Sequence, residues 1–247
     1  MSGASLEARS MRFVSYNIHR AVDVSGKQSI DAIRMVLAEV SPDVVGLNEA
    51  LRGPMASDQP ARLGRALGMA YRFGRTTRSR GVPFGNAALV RGRVLGRRDV
   101  RLSSAQGTRA AGSSDRNPRP EEPRSMLLLD VEVEGLRFAF GVTHIDPRPA
   151  LRAAQLEALT KVLTPLAEEA PFVLVGDFNA APEQLRSLCD RARLELAAGH
   201  PTFPAASPTS AIDHVLFSRH WHLVDAFTVG GLASDHAALV ADLASVY

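Results

Sequence analysis

The sequence predicts a layered α/β protein, and three observations support this class. Short apolar runs with β-branched residues, typical of buried strands, alternate with segments whose apolar residues recur at helical spacing. Hydrophobic residues make up 45% of the 247 residues and charged residues 22%, which provides for a sizeable core. Several apolar runs end in polar side chains, as strands do at the sheet edge where layered α/β proteins carry out chemistry.

In the first part of the chain, the pattern predicts two helices and several strands. Apolar residues recur at helical spacing over residues 29–40, and Ser29 is placed to cap this helix. A second helix is predicted over residues 59–67, and residues 75–83 are expected to form a basic loop. The predicted strands cover residues 12–18, 43–47, 71–73, 85–90 and 94–102. The last two of these strands are expected to pair with each other.

The second part of the chain opens with a segment that lacks any hydrophobic pattern. Residues 103–123 are rich in Ser, Gly, Pro, Arg and Glu, which predicts a long mobile loop. Residues 124–133 and 136–143 predict a hairpin around Glu134-Gly135. The remaining predicted elements are helices over residues 149–169 and 182–192 and strands over residues 172–175, 212–217, 222–229 and 237–243. Gly176 is expected to end the first of these strands.

The chain shows no internal repeat and no convincing linker between two independent cores. We therefore predict a flexible leader over residues 1–10 and a single domain over residues 11–247, which includes the mobile loop near 103–123. The start of the sequence has no apolar segment of the kind that directs secretion, and no later run has membrane-spanning length. These features predict a cytoplasmic protein without stable membrane insertion.

Charge and cysteine content restrict the function only loosely. The formal net charge is +3 and the sequence pI is about 9.5, which by itself gives weak support for nucleic-acid binding. Cys189 is the single cysteine, so no disulfide within the chain is possible, and a reducing compartment is expected.

Polar residues stand at the ends of several predicted strands, and this recurrence is the main functional signal. Asp177 and Asn179 follow a buried strand, where a simple turn would also explain them. A turn does not explain why other strands begin or end in the same way. The other polar strand ends are at Asn17, Glu49, His144, Asp213 and the pair Asp235 and His236. In a layered sheet fold these ends can lie together on one edge.

The chemistry of these side chains favours a hard divalent cation. Carboxylate and amide oxygens are the ligands that Mg²⁺ or Mn²⁺ selects, and a cation relieves the repulsion between close carboxylates. A zinc site is less favoured, since the chain has neither cysteine-rich nor HExxH spacing. No activated Ser or Cys is apparent, which indicates water as the attacking group.

The residues at these strand ends also match a known family pattern. Between Met11 and Leu243, the chain resembles the endonuclease/exonuclease/phosphatase superfamily, which has the deoxyribonuclease-I-like fold. Each motif is short, but all of them occur in the order and approximate spacing of that family. The motifs are SYNIH (15–19), VVGLNEA (44–50), GNAALV (85–90), VTHID (142–146), VLVGDFNA (173–180), IDHVLFS (212–218) and SDHAALV (234–240).

The resemblance implies both a fold and a metal site. The implied fold is a four-layer α-β-β-α sandwich, in which two packed mixed or antiparallel sheets are flanked by helices. The implied cofactor is Mg²⁺ or Mn²⁺. Its principal ligand would be Glu49, with Asn17 beside it and Asp235 completing or supporting the site.

The resemblance also implies a catalytic role for five residues. Asp177 would orient and deprotonate the attacking water, and Asn179 would hold the phosphate or the nucleophile. His236, paired with Asp213, would contact the scissile phosphate as a cation, because a neighbouring carboxylate raises the pKa of an imidazole. His144 would stabilise the transition state or assist the leaving group.

Two further positions, Asn86 and Arg124, match substrate-binding positions near the phosphate. The sequence also departs from the family pattern in places. Asn48 stands where the family usually has Gln, and the Pro that usually follows the SDH motif is absent. His19 stands where abasic-site nucleases often carry Asp, which puts a second metal position in doubt. We interpret His19 as a surface or packing residue.

The residues and the resemblance together predict a metal-dependent phosphoesterase that cleaves a phosphodiester by water attack, as a nuclease or phosphodiesterase does. The alternatives are a phosphatase or lipid-headgroup phosphodiesterase of the same fold, and a non-catalytic binding module. No hydrophobic hairpin for a membrane surface is present, and every core residue of the site is kept. The expected partner is a phosphoester substrate, nucleic acid among the candidates, and the protein is expected to act as a monomer.

Overall fold

The computed structural model of the chain describes residues 10–54, 58–102, 122–197 and 199–246. Within these ranges the chain forms twelve strands and four α-helices. The strands are β1 (Ser10–Asn17), β2 (Val44–Leu51), β3 (Ala70–Ser79), β4 (Val82–Val90), β5 (Arg93–Arg101), β6 (Ser125–Val133), β7 (Leu136–His144), β8 (Phe172–Asp177), β9 (Leu194–Leu196), β10 (Asp213–Ser218), β11 (Trp221–Val229) and β12 (Ala238–Ser245). The helices are α1 (Ile30–Val40), α2 (Gln59–Leu67), α3 (Pro149–Glu169) and α4 (Pro182–Ala192).

The strands form two six-stranded mixed sheets. The first sheet has the order β11-β12-β1-β2-β4-β3, and the second has the order β5-β6-β7-β8-β10-β9. Strands β1 and β2 are parallel and are joined through α1, while β7 and β8 are parallel and are joined through α3. A parallel pair needs such a crossover, which returns the chain to the same end of the sheet. In each sheet the carboxyl ends of two strands therefore meet at one edge.

The two sheets and the helices stack in layers because each element buries its apolar face against the next layer. Residues such as Phe13 and Val175 form the core between the two sheets. Ile33 of α1 packs on the outer face of the first sheet, and Leu159 of α3 packs on the outer face of the second. The predicted four-layer α-β-β-α sandwich with two helix-flanked sheets is thus confirmed.

Glycines allow the sheets and strands to approach closely near the polar edge. A Cβ at Gly46 would overlap the side chain of Val175 across the sheet interface. Gly176 has a φ of +155°, and a Cβ there would overlap the backbone oxygen of Thr143. The prediction that Gly176 ends its strand is wrong, because the strand continues to Asp177.

The predicted pairing of residues 85–90 with 94–102 is also wrong. Strand β4 pairs with β2 and β3 in the first sheet, whereas β5 pairs with β6 in the second. The chain changes sheets in the two residues between β4 and β5. Gly92 makes this possible, because any Cβ there would overlap the backbone of Glu132.

The segment predicted as a basic loop, residues 75–83, is a hairpin. Strand β3 extends to Ser79 and β4 begins at Val82, so that only Arg80 and Gly81 form the turn. Both turn residues have positive φ, 48° and 83°, as favoured two-residue hairpin turns require. Arg75 and Arg78 therefore lie on an edge strand, where polar side chains are common.

The four predicted helices are confirmed, but one predicted cap is not. The hydroxyl of Ser29 donates to the backbone oxygen of Ala233 at 2.5 Å and makes no hydrogen bond to the backbone of α1. Ser10, predicted to belong to the leader, is the first residue of β1 and pairs with Ala244 of β12. The rest of the predicted leader and residues 103–121 of the predicted loop lie outside the described residues. In the described part of the chain, no helix is both long and apolar enough to cross a membrane.

Candidate active site

Strand register brings the predicted site residues to one edge of the sandwich. In the first sheet Asn17 of β1 lies beside Asn48 of β2. In the second sheet Asp177 of β8 lies between His144 of β7 and Asp213 of β10. Since both sheets present the same edge, these strand ends face each other across the sheet interface.

Asp177 is the centre of this edge. Its Oδ2 accepts a hydrogen bond from Nδ2 of Asn17 at 3.0 Å, and its Oδ1 accepts one from the backbone N–H of Asn179 at 2.9 Å. Two imidazole nitrogens approach the same Oδ2: Nε2 of His144 at 3.5 Å and Nε2 of His236 at 3.9 Å. Burial and the nearby charge of Asp213 raise the pKa of Asp177 to about 7.

His236 is held by a second carboxylate. Its Nδ1 lies 2.7 Å from Oδ2 of Asp213, and the same oxygen accepts a hydrogen bond from the hydroxyl of Thr202 at 2.6 Å. Burial lowers the pKa of His236, but the charges of Asp213, Asp177 and Asp235 outweigh it and raise the pKa to about 9. The imidazole is therefore a cation at neutral pH, with Nε2 directed at Asp177.

The second histidine of the site is neutral. Burial, together with the positive charges of Arg124 and His236, lowers the pKa of His144 well below its usual value. Its Nε2 lies 3.4 Å from Nδ2 of Asn179, which also donates to the backbone oxygen of Ile145 at 3.0 Å. The site thus contains one charged and one uncharged imidazole, because the surroundings of the two rings shift their pKa values in opposite directions.

Glu49 and Asp235 form a carboxylate pair at the first-sheet side of the edge. Burial and the charge of Asp235 raise the pKa of Glu49, while Arg20 and His19 lower it. Nε of Arg20 lies 3.9 Å from Oε2 of Glu49. Nδ1 of His19 lies 3.5 Å from Oδ1 of Asp235. His19, interpreted from the sequence as a surface or packing residue, is half-buried and lies against a predicted metal ligand.

The donor set at Glu49 and Asp235 fits a divalent cation. These two half-buried carboxylates repel each other, and a divalent cation bound by their oxygens would relieve this repulsion. Glu49 has a φ of 56°, a left-handed conformation that is costly for a residue other than Gly or Asn. Asn17, predicted as a further ligand, bridges the two halves of the edge: its Nδ2 donates to Asp177, and its Oδ1 accepts from the backbone N–H of His19 at 3.1 Å.

A second group with metal-ligating chemistry lies deeper. One ligand atom from each of Asp177, Asp213 and His236 lies within 4.8 Å of the others. In this group the cationic imidazole already lies between the carboxylates and neutralises them, and Nδ1 of His236 is engaged with Asp213. The negative charge of this group is therefore partly balanced within the protein.

Asn48 connects the two sheets beneath the site, and the sequence reasoning missed this. Its Oδ1 accepts from the backbone N–H of Asp177 at 2.9 Å, and its Nδ2 donates to the backbone oxygen of Thr143 at 2.8 Å and to Oδ1 of Asn86 at 3.0 Å. Each of these partners except Asn86 belongs to the second sheet. The sequence signals were its position directly before Glu49 and the Gln that the family usually carries there.

The two predicted substrate-binding residues differ in their surroundings. Asn86 is 1% exposed, and its Nδ2 donates to the backbone oxygens of Ser125 and Val142. The structure therefore gives Asn86 a part in the connection between the sheets, and both of its amide hydrogens are used there. Arg124 is buried at the site edge, pairs with Glu122 at 3.3 Å and acts on the pKa of His144.

Three further polar residues, His214, Thr202 and Ser234, lie near the site. His214 points away from the site, as strand alternation predicts, and its Nε2 lies 2.7 Å from the backbone oxygen of Ala180. Thr202 and Ser234, which the sequence reasoning did not single out, hold site residues in place: Ser234 donates to the backbone oxygen of Asn17 at 2.7 Å. A hydroxyl in an irregular segment carries no periodic signal that would have revealed either role.

The comparison with solved structures agrees with this architecture. An endonuclease/exonuclease/phosphatase from Beutenbergia cavernae is 25% identical, with a TM-score of 0.71, over 96% of this chain and 72% of that one. The catalytic domain of human nocturnin, with a bound sulfate anion, is 20% identical with a TM-score of 0.72, over 98% and 95%. A mannosyl-6-phosphatase from Bacteroides thetaiotaomicron is 20% identical with a TM-score of 0.71, over 94% and 99%. The last two likenesses show the fold alone.

The comparison of sequences identifies the family. No curated protein sequence matches the chain significantly. A model of the endonuclease/exonuclease/phosphatase family matches residues 14–236, a range that contains every residue of the site from Asn17 to His236. The protein therefore belongs to the endonuclease/exonuclease/phosphatase family, whose members hydrolyse phosphoester bonds.

Proposed function

We propose that this protein is a divalent-metal-dependent phosphodiesterase that cleaves its substrate by direct attack of water. The observation that supports this most strongly is the environment of Asp177. A carboxylate with a pKa raised to about 7 lies within 4 Å of one cationic and one neutral imidazole. A general base needs a pKa near the working pH, and the site keeps the charged stabilising group beside it.

Asp177 is the residue that accepts the proton of the attacking water. The hydrogen bonds from Asn17 and from the backbone of Asn179 fix its carboxylate, so that Oδ2 faces the two imidazoles. Asn179 lies in a left-handed conformation with a φ of 48°, which turns its side chain towards His144 and Ile145. Its amide is thus placed beside the position at which the water or a phosphate oxygen would lie.

The histidines stabilise the charge that develops during cleavage. The imidazolium of His236, oriented by Asp213, directs Nε2–H at the negatively charged phosphoryl oxygens. His144 is kept uncharged by burial and by the nearby charges of Arg124 and His236, which lower its pKa, and it offers a ring nitrogen to the leaving oxygen. Stabilisation of this kind is the main contribution that proteins make to phosphoryl transfer.

Glu49 and Asp235, with Asn17 beside them, would hold Mg²⁺ or Mn²⁺. When bound, it supplies positive charge to the phosphate oxygens and helps to stabilise the departing oxygen. These oxygen ligands suit a hard cation. The same residues would also serve a phosphomonoesterase, and for that reason a test must compare monoesters with diesters.

The test uses small chromogenic substrates with the whole protein. Bis(p-nitrophenyl) phosphate should be hydrolysed in the presence of Mg²⁺ or Mn²⁺, and EDTA should abolish the reaction until excess cation is restored. p-Nitrophenyl phosphate, a monoester, should react more slowly. Failure to cleave either compound at any cation concentration would contradict the proposal, and faster cleavage of the monoester would replace it with a phosphatase.

A further inference from the structure

A cleft lined by arginines lies at the side of the sandwich, where the edge strands β3 and β5 meet. It has a volume of about 730 Å³ and is bordered by the β3–β4 hairpin, the segment that follows β2, and β5. A second cleft of about 500 Å³ adjoins it, between β3 and α2, and shares Arg52, Phe73 and Arg97 with it. We call the two together the arginine cleft.

The arginine cleft is far more basic than the chain as a whole. Across the whole chain, 29 Lys and Arg residues are nearly balanced by 26 Asp and Glu residues. Among the described residues that line the arginine cleft, Asp99 is the only carboxylate. The arginines that line it are Arg52, Arg65, Arg72, Arg75, Arg78 and Arg97.

Most of the guanidinium donors of these arginines are not used within the protein. Arg97 pairs with Asp99, and Nε of Arg52 lies 3.6 Å from Oδ2 of Asp58. Arg78 donates to the backbone oxygen of Gly81 at 2.7 Å. Over the described ranges, neither Arg65 nor Arg75 forms an ion pair. Each guanidinium carries five N–H donors in a planar fork that suits phosphate oxygens, so the cleft presents a surplus of donors for an anion.

The arginine cleft begins close to the candidate active site. The backbone N–H of Arg52 donates to the oxygen of Pro83 at 2.9 Å, so that Arg52 continues the ladder between β2 and β4. Arg52 follows Glu49 by three residues, so that their Cα atoms lie at most about 10 Å apart, the length of three extended residues. A substrate that is cleaved beside Glu49 and also reaches the cleft must therefore carry a second anionic group about this far from the reacting phosphate.

We propose that the arginine cleft binds backbone phosphates that flank the scissile phosphodiester of a polynucleotide strand. The inference rests on the proposed function and narrows it to nucleic acid. A polynucleotide repeats its phosphates along the strand, so that one lies at the metal site while its neighbours lie among the arginines. The contacts are sequence-independent, since phosphates position a strand without reading its bases. Of the two aromatic residues among the described residues that line the cleft, Phe73 is buried and Tyr71 is half-buried.

Direct binding tests the proposal without any need for turnover. Fluorescence anisotropy in EDTA would measure the affinity of a labelled twelve-nucleotide oligothymidylate for the wild type and for Arg75→Ala/Arg78→Ala. The matched control is Arg98→Ala/Arg186→Ala, which removes the same charge from two exposed positions outside the cleft. We expect the cleft variant to bind about tenfold more weakly, and the slope of log Kd against log salt to fall by about 1.4, or about 0.7 for each lost phosphate contact. The control should match the wild type in slope.

A second measurement separates this proposal from the proposed function. The ratio of kcat/KM for the oligonucleotide to kcat/KM for bis(p-nitrophenyl) phosphate should fall about tenfold in the cleft variant and stay constant in the control. Equal weakening of binding in the cleft and control variants would overturn the arginine cleft as a site. If the wild type cleaves neither substrate, the proposed function fails, but the anisotropy result still decides whether the cleft binds the strand. Thermal melting of each variant verifies that it is folded.

Discussion

The backbone N–H of Asp177 donates a hydrogen bond to Oδ1 of Asn48 at 2.9 Å. Asn48 belongs to the first sheet and Asp177 to the second, so this contact crosses the interface directly beneath the site. Asn48 also precedes Glu49, the predicted metal ligand, in the chain. One amide side chain therefore connects the carboxylate that we propose as the general base to the strand end that would bind the cation.

Replacing Asn48 should destabilise the protein markedly. Asn48→Ala leaves the buried backbone oxygen of Thr143 and the N–H of Asp177 without this partner, and we expect a loss of about 2 to 4 kcal/mol in the free energy of unfolding. Asn48→Gln keeps the amide and should lose less. Urea denaturation of the three proteins measures the difference, and an alanine variant as stable as the wild type would contradict the role given to Asn48.

Replacing Asp177 should remove most of the activity and leave the fold intact. In Asp177→Asn the side chain no longer accepts a proton, and we expect kcat on bis(p-nitrophenyl) phosphate to fall at least about a hundredfold. Asp190→Asn, the same change at an exposed position on α4, is the control and should retain full activity. Near-wild-type turnover by Asp177→Asn would show that another group is the base.

The activity should depend on pH with two limbs. As the pH rises through about 7, Asp177 loses its proton and becomes able to act as a base, so kcat/KM increases. As the pH rises through about 9, His236 loses its positive charge, so kcat/KM decreases. A profile of kcat/KM from pH 5 to pH 10.5 on bis(p-nitrophenyl) phosphate measures both limbs.

Asp213→Asn should move the falling limb to lower pH. The carboxylate of Asp213 raises the pKa of His236, and its removal lets burial lower that pKa. His222→Ala, at an exposed position on β11, should leave both limbs in place. An unchanged falling limb in Asp213→Asn would mean that His236 does not supply the required charge.

Removing the charge of Glu49 should raise the Tm of the metal-free protein and should abolish the increase in Tm that Mn²⁺ causes. Because burial and Asp235 raise the pKa of Glu49, its ionised form destabilises the metal-free protein at neutral pH, and Glu49→Gln should raise the metal-free Tm. Mn²⁺ should raise the Tm of the wild type, because a ligand that binds only the folded state stabilises the folded state. Mn²⁺ should not raise the Tm of Glu49→Gln.

Differential scanning fluorimetry with and without Mn²⁺ provides the measurement, and isothermal titration calorimetry reports the loss of binding directly. Glu183→Gln, at an exposed position in the first turn of α4, should respond to Mn²⁺ as the wild type does. Equal stabilisation of all three proteins by Mn²⁺ would place the cation elsewhere.

The helices, the buried strands and the candidate site residues could be predicted from the sequence. Helical periodicity and apolar runs can be read from neighbouring residues, and they predict the elements well because each element must bury its apolar face. Helices α3 and α4, for example, have the predicted bounds. Polar residues such as His144 and Asp177 at the ends of apolar strands were equally visible, because such residues are costly to bury without partners.

The pairing of the strands and the contacts between distant residues could not be predicted from local patterns. Alternation along a strand tells which face is buried but not which neighbour it meets, and so the move of β5 to the second sheet was missed. The contact of His19 with Asp235 and the amide of Asn48 across the sheets join residues far apart in the chain. The arginine cleft likewise combines separate elements, and no local pattern records that their charges converge, because side-chain proximity arises only when the two sheets pack.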